Sequence, residues 1–565
     1  MFRITTQCNP DHPGAPVTPA FAHSSVAELL LARAEDDHPA LLFGDETLSW
    51  REFVAGAHER AAVLTALRRP GPWHVGVLMD NDPEYLLLIA AAALSGATIV
   101  GVNPTRRGAE LTADIRGTDI QTLIVGTTHR ALVDGLDLAG VDVLDQDGDR
   151  YRELLADAAV NPVRTTAPPG MAHTLLLLFT SGSTGAPKAV VCSSFRLAVI
   201  GQLNVHGLTR DDVAYNAMPL FHGNALMAAW APILVVGGTY ALRERFSASG
   251  FLPDVQRFGA TFFNYVGRAL SYVLAQPESP SERDNRLRFG FGTEASTRDR
   301  EEFQRRFGCR IVESYGSSEG VCTILRDEST PPGALGRPDP AMGLVIVGAD
   351  GEEAPPASIA DDGRLLNAAE AIGEIVVRGG AARFEGYYNN PGAMAAKVRD
   401  GDYWTGDLAY ADADGNFWFA GRNSDWIRVD SENFATAPIE RILARHPAVA
   451  TAVVYGVPDP RTGDEVMASL LLLPDARLDP DDLDRFLEDQ PDLGTKWRPR
   501  LVRVVEDLPL TGTGKLDKRA LRGQAWLVDD PVYVHTERGY RPFTAQDRSE
   551  REAAFTAHGR QSLLP

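Results

Sequence analysis

Apolar and polar positions divide the chain into blocks of different rhythm. Through about residue 160, strand-like apolar runs such as HVGVLM and ATIVGV alternate with helix-like runs such as SWREFVAGAHERAAVLTAL, a pattern that predicts α/β layers on a mostly parallel sheet. A second α/β series follows, including TLLLLF, GATFFNYV, LRFGFGTEAS and RIVESYG. From about 331 to 420 the rhythm shortens. PPGALGRP, GEIVVRGG and GNFWFAG read as brief strands between Gly, Pro and Asp turns, as expected of an antiparallel β subdomain. After GRNSDWIRVD, a smaller stretch offers a helix at APIERILARH and strands at VATAVVYGV and MASLLLL. The predicted fold class is α/β: a large N-terminal domain over 1–422, built from two α/β subdomains and a small antiparallel β subdomain, then a smaller α+β domain over 423–530. The polar, turn-rich segment 531–565 is expected to be a tail that wraps over another domain or frays.

The run from Tyr85 to Val102, YLLLIAAAALSGATIVGV, is long enough to span a bilayer. It is rich in alanine and is interrupted by Ser95 and Gly96, so it is read as a buried helix, a glycine stop and a buried strand. The N-terminus, MFRITTQCNPDHPG, lacks the apolar core of a signal peptide.

Composition narrows the partners. The 565 residues are 44% hydrophobic and 23% charged, with a formal net charge of −21, so nucleic acid is not expected as the main partner. An anionic nucleotide remains compatible, because local amides and one lysine suffice to hold it. Cys8, Cys192, Cys309 and Cys322 form no CxxC pair; neither a zinc site nor a disulfide framework is suggested, and a reducing cytoplasm is the expected location.

The stretch TSGSTGAPK, 180–188, packs hydroxyls, two glycines and one lysine directly after an apolar strand. A glycine-rich turn between a strand and a helix exposes successive N–H groups to one concavity, chemistry suited to oligophosphate. A Walker loop is excluded, since counting from Gly182 puts Pro187 at the second glycine and Ala189 at the Ser/Thr position. Gly514 and Lys515 fail the same test, because Leu516 follows and Pro509 precedes.

The loop instead resembles the signature [ST]-SG-[ST]-[ST]-G-x-PK of the adenylate-forming superfamily of acyl-CoA synthetases, luciferases and peptide-synthetase adenylation domains. YGSSEG at 315–320, YWTGDLAYADADGNFWFAGR at 403–422 and LPLTGTGKLDKRAL at 508–521 match three more of its motifs in the family's order. LSWREF at 48–53 and SGATIVGVNP at 95–104 also look like the family. The resemblance covers nearly the whole chain. It implies a ligase: a carboxylate attacks the α-phosphate of ATP to give an acyl-adenylate, and a thiol then displaces AMP.

By this resemblance Thr180, Ser181, Gly182, Ser183, Thr184, Gly185 and Lys188 would grip the β- and γ-phosphates. Glu319 would hold Mg²⁺, Ser318 would reach the α-phosphate, and Tyr315 with Gly316 would meet adenine opposite the backbone of Gly292, Thr293 and Glu294. Asp407 would bind the ribose hydroxyls and Arg422 would lie near ribose and phosphate. His222 would line or gate the passage between acyl and nucleotide pockets. Lys515 would swing in with a mobile C-terminal domain, hinged at Ser424, to stabilise charge developing during adenylation. The implied small molecules are ATP/AMP, Mg²⁺ and coenzyme A, with a hydrophobic carboxylic acid or its acyl-adenylate as acyl substrate; a homodimer is left open.

Four positions depart from the family pattern: Cys192 stands four places after the loop lysine where histidine is common, Ser424 stands at the hinge where Asp or Lys is frequent, and two more bear on the reaction. Ala189 follows the loop lysine where glycine is common, and Ser431 replaces the glycine of a G-E-N loop near the thiol tunnel. These leave open a ligase that completes only one half-reaction, or one that loads a carrier protein. FNYVGRALSYVL at 263–274, the SENFATAPIE loop and the extended tail look most like the fatty-acid-transport-protein and long-chain acyl-CoA synthetase branch.

Overall fold

The computed structural model describes residues 23–160, 169–180, 187–203, 206–267, 269–293, 295, 297–360, 365–422, 426–429, 432–461, 463–491, 493–494, 496–511 and 515–564. Among these, five sheets form. A six-stranded sheet runs in the order Asp142–Asp145, Ile120–Val125, His74–Leu78, Thr98–Gly101, Thr174–Thr180 and Lys188–Ser193, parallel except for its last pair. An eight-stranded sheet runs Thr323–Leu325, Arg310–Gly316, Phe289–Thr293, Phe262–Val266, Val213–Asn216, Thr239–Leu242, Pro39–Phe43 and Glu46–Ser49, parallel inside and antiparallel at both edges. Strands buried on both faces need apolar side chains on both, which is why these runs read as continuous hydrophobics rather than alternating ones.

The two α/β series do not map one to one onto these sheets. Pro39–Ser49, from the first series, pairs with Thr239–Leu242 in the eight-stranded sheet, while Thr174–Ser193, expected to open the second series, completes the six-stranded one. Local periodicity identifies a strand; its neighbours are chosen by long-range packing.

Helix boundaries follow local chemistry. Trp50–Leu67 starts at a Ser49–Glu52 capping box, contributing about 1 kcal/mol. Pro83–Ser95 begins with an Asp82 cap and Pro83 and ends at Gly96 with φ +94, a left-handed stop that glycine takes without strain. Tyr85–Val102 is therefore a buried helix followed by the strand Thr98–Gly101. No helix among the described residues is long and apolar enough to cross a membrane.

A third sheet, wholly antiparallel, contains Leu344–Val347, Gly373–Val377, Asp402–Ala411, Val398–Arg399 and Phe417–Arg422. Beyond it lie the hairpin Trp426–Val429 and Glu432–Ala435 and a five-stranded sheet of Val449–Pro458, Asp464–Leu472, Leu501–Val505, Val532–Thr536 and Gly539–Pro542. The last two strands correct the expectation for 531–565. The segment is not a separate tail: Val532 and Val534 are buried in the sheet, and the helix Ala545–Ala557 sets a fully buried Phe555 against Trp526. Its polar composition hid this, because only a few apolar positions carry the docking.

Candidate active site

The strands on either side of the glycine-serine stretch pair with each other. Thr174–Thr180 and Lys188–Ser193 are antiparallel, with Thr180 opposite Lys188, and the helix begins only at Ser194. The expected strand-to-helix turn is thus a strand-to-strand turn, because KAVVCS is itself a mostly buried apolar strand. Ser181, Gly182, Ser183, Thr184 and Gly185 lie outside the described residues. Lys188, 8% exposed, places its ammonium 5.2 Å from the centre of the Tyr387 ring, a cation–π contact.

Tyr387 links this lysine to the next motif. Its hydroxyl donates to Glu319 Oε1 at 2.7 Å, and Glu319 Oε2 has no hydrogen-bond donor among the described residues. No cluster of three or more His, Cys, Asp or Glu that could hold a metal occurs among the described residues. A carboxylate linked through Tyr387 to a buried lysine nevertheless fits Mg²⁺, which is held by one or two carboxylates with substrate phosphates and water completing its shell. Ser318 adjoins the His222 turn: a Cβ on Gly223 would stand 3.6 Å from Ser318 Oγ.

Tyr315, Asp407 and Arg422 form one cluster. Asp407 and Arg422 face each other on paired strands, with Arg422 Nε 3.3 Å from Asp407 Oδ1. The Tyr315 hydroxyl donates to Asp407 Oδ2 at 2.7 Å. Strand Arg310–Gly316 lies beside Phe289–Thr293, so Gly292 and Thr293 neighbour the strand that ends in Tyr315 and Gly316. Gly292 has no space for a side chain, since a Cβ would sit 2.5 Å from the Tyr265 carbonyl oxygen. Glu294 is outside the described residues.

His222 packs against Phe221 with ring centres 5.0 Å apart. Burial, reinforced by the nearby charge of Lys515, pushes its pKa down to about 3, so the imidazole is neutral at ordinary pH. Lys515, nearly 300 residues away in sequence, thus lies near enough to the His222 turn for its charge to act there. Thr511 frames the lysine, its N–H donating to the Lys515 carbonyl at 2.7 Å and its hydroxyl accepting from the Lys515 N–H at 3.2 Å. Ser424 and Ser431 lie outside the described residues.

Sequence motifs did not point to several groups now seen at the site. Besides Tyr387, the Lys397 ammonium donates to the Thr405 carbonyl. Burial depresses its pKa, while Glu319, Asp407 and Glu374 favour its charge. Glu313 accepts from the Ala295 N–H at 2.8 Å and from the Tyr265 hydroxyl at 3.1 Å, bracing the loop after Phe289–Thr293. The paired aromatics of EGYYNNPG were the available signal for Tyr387.

Two family models match the chain: AMP-binding enzyme over residues 31–388 and AMP-binding enzyme C-terminal domain over 438–515. The chain belongs to the AMP-binding enzyme family. It is 50% identical over 551 residues to the steroid-22-oyl-CoA synthetase of Rhodococcus jostii strain RHA1, spanning 96% of this chain and 99% of that one. It is 43% identical to the medium/long-chain-fatty-acid–CoA ligase FadD17 of Mycobacterium tuberculosis, over 90% and 98% of the two chains. Among solved structures, ATP-bound MatB from Rhodopseudomonas palustris superposes with a TM-score of 0.76 at 26% identity, covering 88% of this chain and 98% of that one. The Bacillus subtilis o-succinylbenzoate-CoA synthetase bound to its acyl-adenylate gives 0.72, also at 26% identity, covering 88% and 97%. This family member is an AMP-forming acyl-CoA ligase that works through an acyl-adenylate and uses ATP, Mg²⁺ and coenzyme A.

Proposed function

We propose that the ligase activates a hydrophobic carboxylic acid, with a steroid side-chain acid as first candidate and medium- to long-chain fatty acids next. The observation that carries this reading is the 50% identity over 551 residues to the steroid-22-oyl-CoA synthetase; the apolar crevice near the His222 turn, lined by Tyr215, Met218, Phe246, Phe263, Tyr265 and Leu270, is closed down to about 10 Å³ and would have to open to admit an acyl chain. It touches the π-helical segment Asn224–Trp230 that follows His222, through a hydrogen bond of 2.7 Å from Asn264 to Asn224. An acid bound on that side would present its carboxylate toward the neutral His222 and the charged Lys515, and the ammonium of Lys515, rather than a base, would offset the repulsion between two anions. The names of the two curated relatives support the acid class.

In this reading the 181–185 loop and Lys188 hold the departing pyrophosphate, Glu319 holds Mg²⁺, Tyr315 with the 292–294 backbone receives adenine, and Asp407 takes the ribose hydroxyls. The C-terminal part from 423 onward, including the strands Val532–Thr536 and Gly539–Pro542 that complete its sheet, is the mobile part, pivoting at Ser424 to deliver or withdraw Lys515. The buried, unpaired Cys192, Cys309 and Cys322 are in keeping with a reducing cytoplasm.

The test measures both half-reactions against a panel of acids: acid-dependent ATP–pyrophosphate exchange, and thioester formation from synthetic acyl-adenylates. Turnover of a steroid side-chain acid at kcat/KM well above that of fatty acids supports the first candidate. Turnover confined to small polar acids would reject the hydrophobic reading.

A further inference from the structure

Three elements that bear phosphate-side residues meet at one buried guanidinium. Arg196 lies in the helix Ser194–Leu203, directly after the strand that opens with Lys188, and is 8% exposed. Its Nη1 donates to the Glu319 carbonyl at 2.6 Å and its Nη2 to the Ser318 carbonyl at 3.3 Å. Its Nε stands 3.4 Å from the Glu385 carboxylate. Glu385 in turn accepts from the Ser193 N–H at 2.8 Å and from the Ser193 hydroxyl, while the Arg196 N–H donates to Ser193 Oγ at 3.0 Å. Two residues beyond Glu385 is Tyr387, whose hydroxyl holds the Glu319 carboxylate.

The strand of Lys188, the turn of Ser318 and Glu319, and the segment of Tyr387 are therefore tied to one another through Arg196 and Glu385. The turn lies between two strands and is closed by a single local bond, Gly320 N–H to the Ser317 carbonyl at 3.0 Å. Gly320 has φ +65, and a Cβ there would stand 3.4 Å from Arg196 Cδ. The guanidinium fork thus fits closely under the turn and satisfies two successive carbonyls, a geometry that a lysine ammonium cannot reproduce.

We infer that Arg196 is a positioning residue for Mg²⁺·ATP: without touching the nucleotide, it fixes where Glu319 and Ser318 stand relative to Lys188. The inference rests on the assignment of Glu319 to Mg²⁺ under the proposed function. Loss of an outer support of a metal ligand costs on the order of 10–100-fold in metal affinity, and misplacement of reacting groups by an ångström costs about 10²-fold in rate.

The experiment compares wild type, Arg196→Met, Arg196→Lys and Glu319→Gln. ATP binding is measured calorimetrically with Mg²⁺ and with EDTA, alongside pyrophosphate exchange, thioester formation from synthetic acyl-adenylate, and thermal unfolding. The expected result is that Arg196→Met, like Glu319→Gln, loses about tenfold or more of the Mg²⁺-dependent gain in ATP affinity. Its exchange rate falls by about 10²-fold while thioester formation is largely kept, and Arg196→Lys lies between it and wild type. Should Arg196→Met fail to fold, Arg196→Lys carries the comparison. A full Mg²⁺-dependent gain in the Arg196 variants, or equal losses in both half-reactions that track the melting temperature, would overturn the inference. A full gain in Glu319→Gln would instead show that the assignment of Glu319 is wrong, and the inference falls with it.

Discussion

Asp407 shows how much one carboxylate is asked to do. One oxygen accepts from Tyr315, and the other lies 3.3 Å from Arg422, so the group is oriented before any nucleotide arrives. Ribose hydroxyls would then meet a fixed acceptor, and hydrogen bonds to a charged group are worth about 1.5–3 kcal/mol. Asp407→Ala should raise the Kd for ATP by roughly 10–100-fold and erase discrimination against 2′-deoxy-ATP; unchanged affinity would remove the ribose role. Tyr315→Phe keeps the ring and removes only the orienting hydroxyl, with an expected loss of about fivefold, or ~1 kcal/mol. His206 offers a separate test of residue chemistry. It is stacked among Phe262, Phe289 and Phe291, and burial pushes its pKa down to about 4. A histidine kept neutral by folding contributes stability that is complete above the ordinary histidine pKa and is lost as pH falls toward 4. Between pH 7 and pH 5 that loss is about 2 kcal/mol. Urea unfolding of His206→Phe at both pH values should show a loss smaller than wild type by about this amount, and equal losses would acquit the imidazole.

Elements of secondary structure were legible where a local rule decides them. The Ser49 capping box, the Gly96 stop after an apolar helix, and the brief strands GEIVVRGG and GNFWFAG can be read from adjacent residues. What pairs with what was not legible, because the apolar face of Pro39–Phe43 is equally suited to either α/β sheet until Thr239–Leu242 is beside it. The same distinction holds in the site. Lys188, Glu319, Asp407 and Lys515 sit in motifs, whereas Arg196 acts through the distant Ser318 and Glu319 and carries no local signature, and Tyr387 has only the paired aromatics of EGYYNNPG to mark it. The segment after 530 was misread for the same reason. Its strand Val532–Thr536 covers the edge of Leu501–Val505, and an uncovered apolar edge invites pairing with other chains. A chain ending at residue 530 should therefore melt at lower temperature and aggregate, as followed by light scattering during heating; a monomeric product with unchanged melting temperature would show that the two strands and the Ala545–Ala557 helix are dispensable.

At the scale of the whole molecule, a net charge of −21 opposes the approach of ATP, coenzyme A and a carboxylate alike, so cations must be concentrated where those anions meet. Lys188 and Arg422 are built into the N-terminal sheets, but Lys515 comes from the connection between Leu501–Val505 and Val532–Thr536 of the C-terminal sheet, and its charge is felt at His222 through the placement of that whole region. Arg441 in the helix Ala437–Leu443 helps hold this placement, donating to the Phe419 carbonyl at 3.1 Å and lying 6.0 Å from the Tyr410 ring centre. Under the proposed movement of the C-terminal part, its lysine serves one half-reaction without burdening the other. Adenylation joins two anions and needs the extra charge at the moment it develops; thioester formation starts from an adenylate whose phosphate already carries less. Lys515→Ala should accordingly cut acid-dependent ATP–pyrophosphate exchange by about 10²–10³-fold and leave thioester formation from supplied acyl-adenylate within about tenfold of wild type. A parallel loss in both assays would mean that Lys515 supports the fold or both reactions equally, and the division of labour between the two parts of the chain would have to be abandoned.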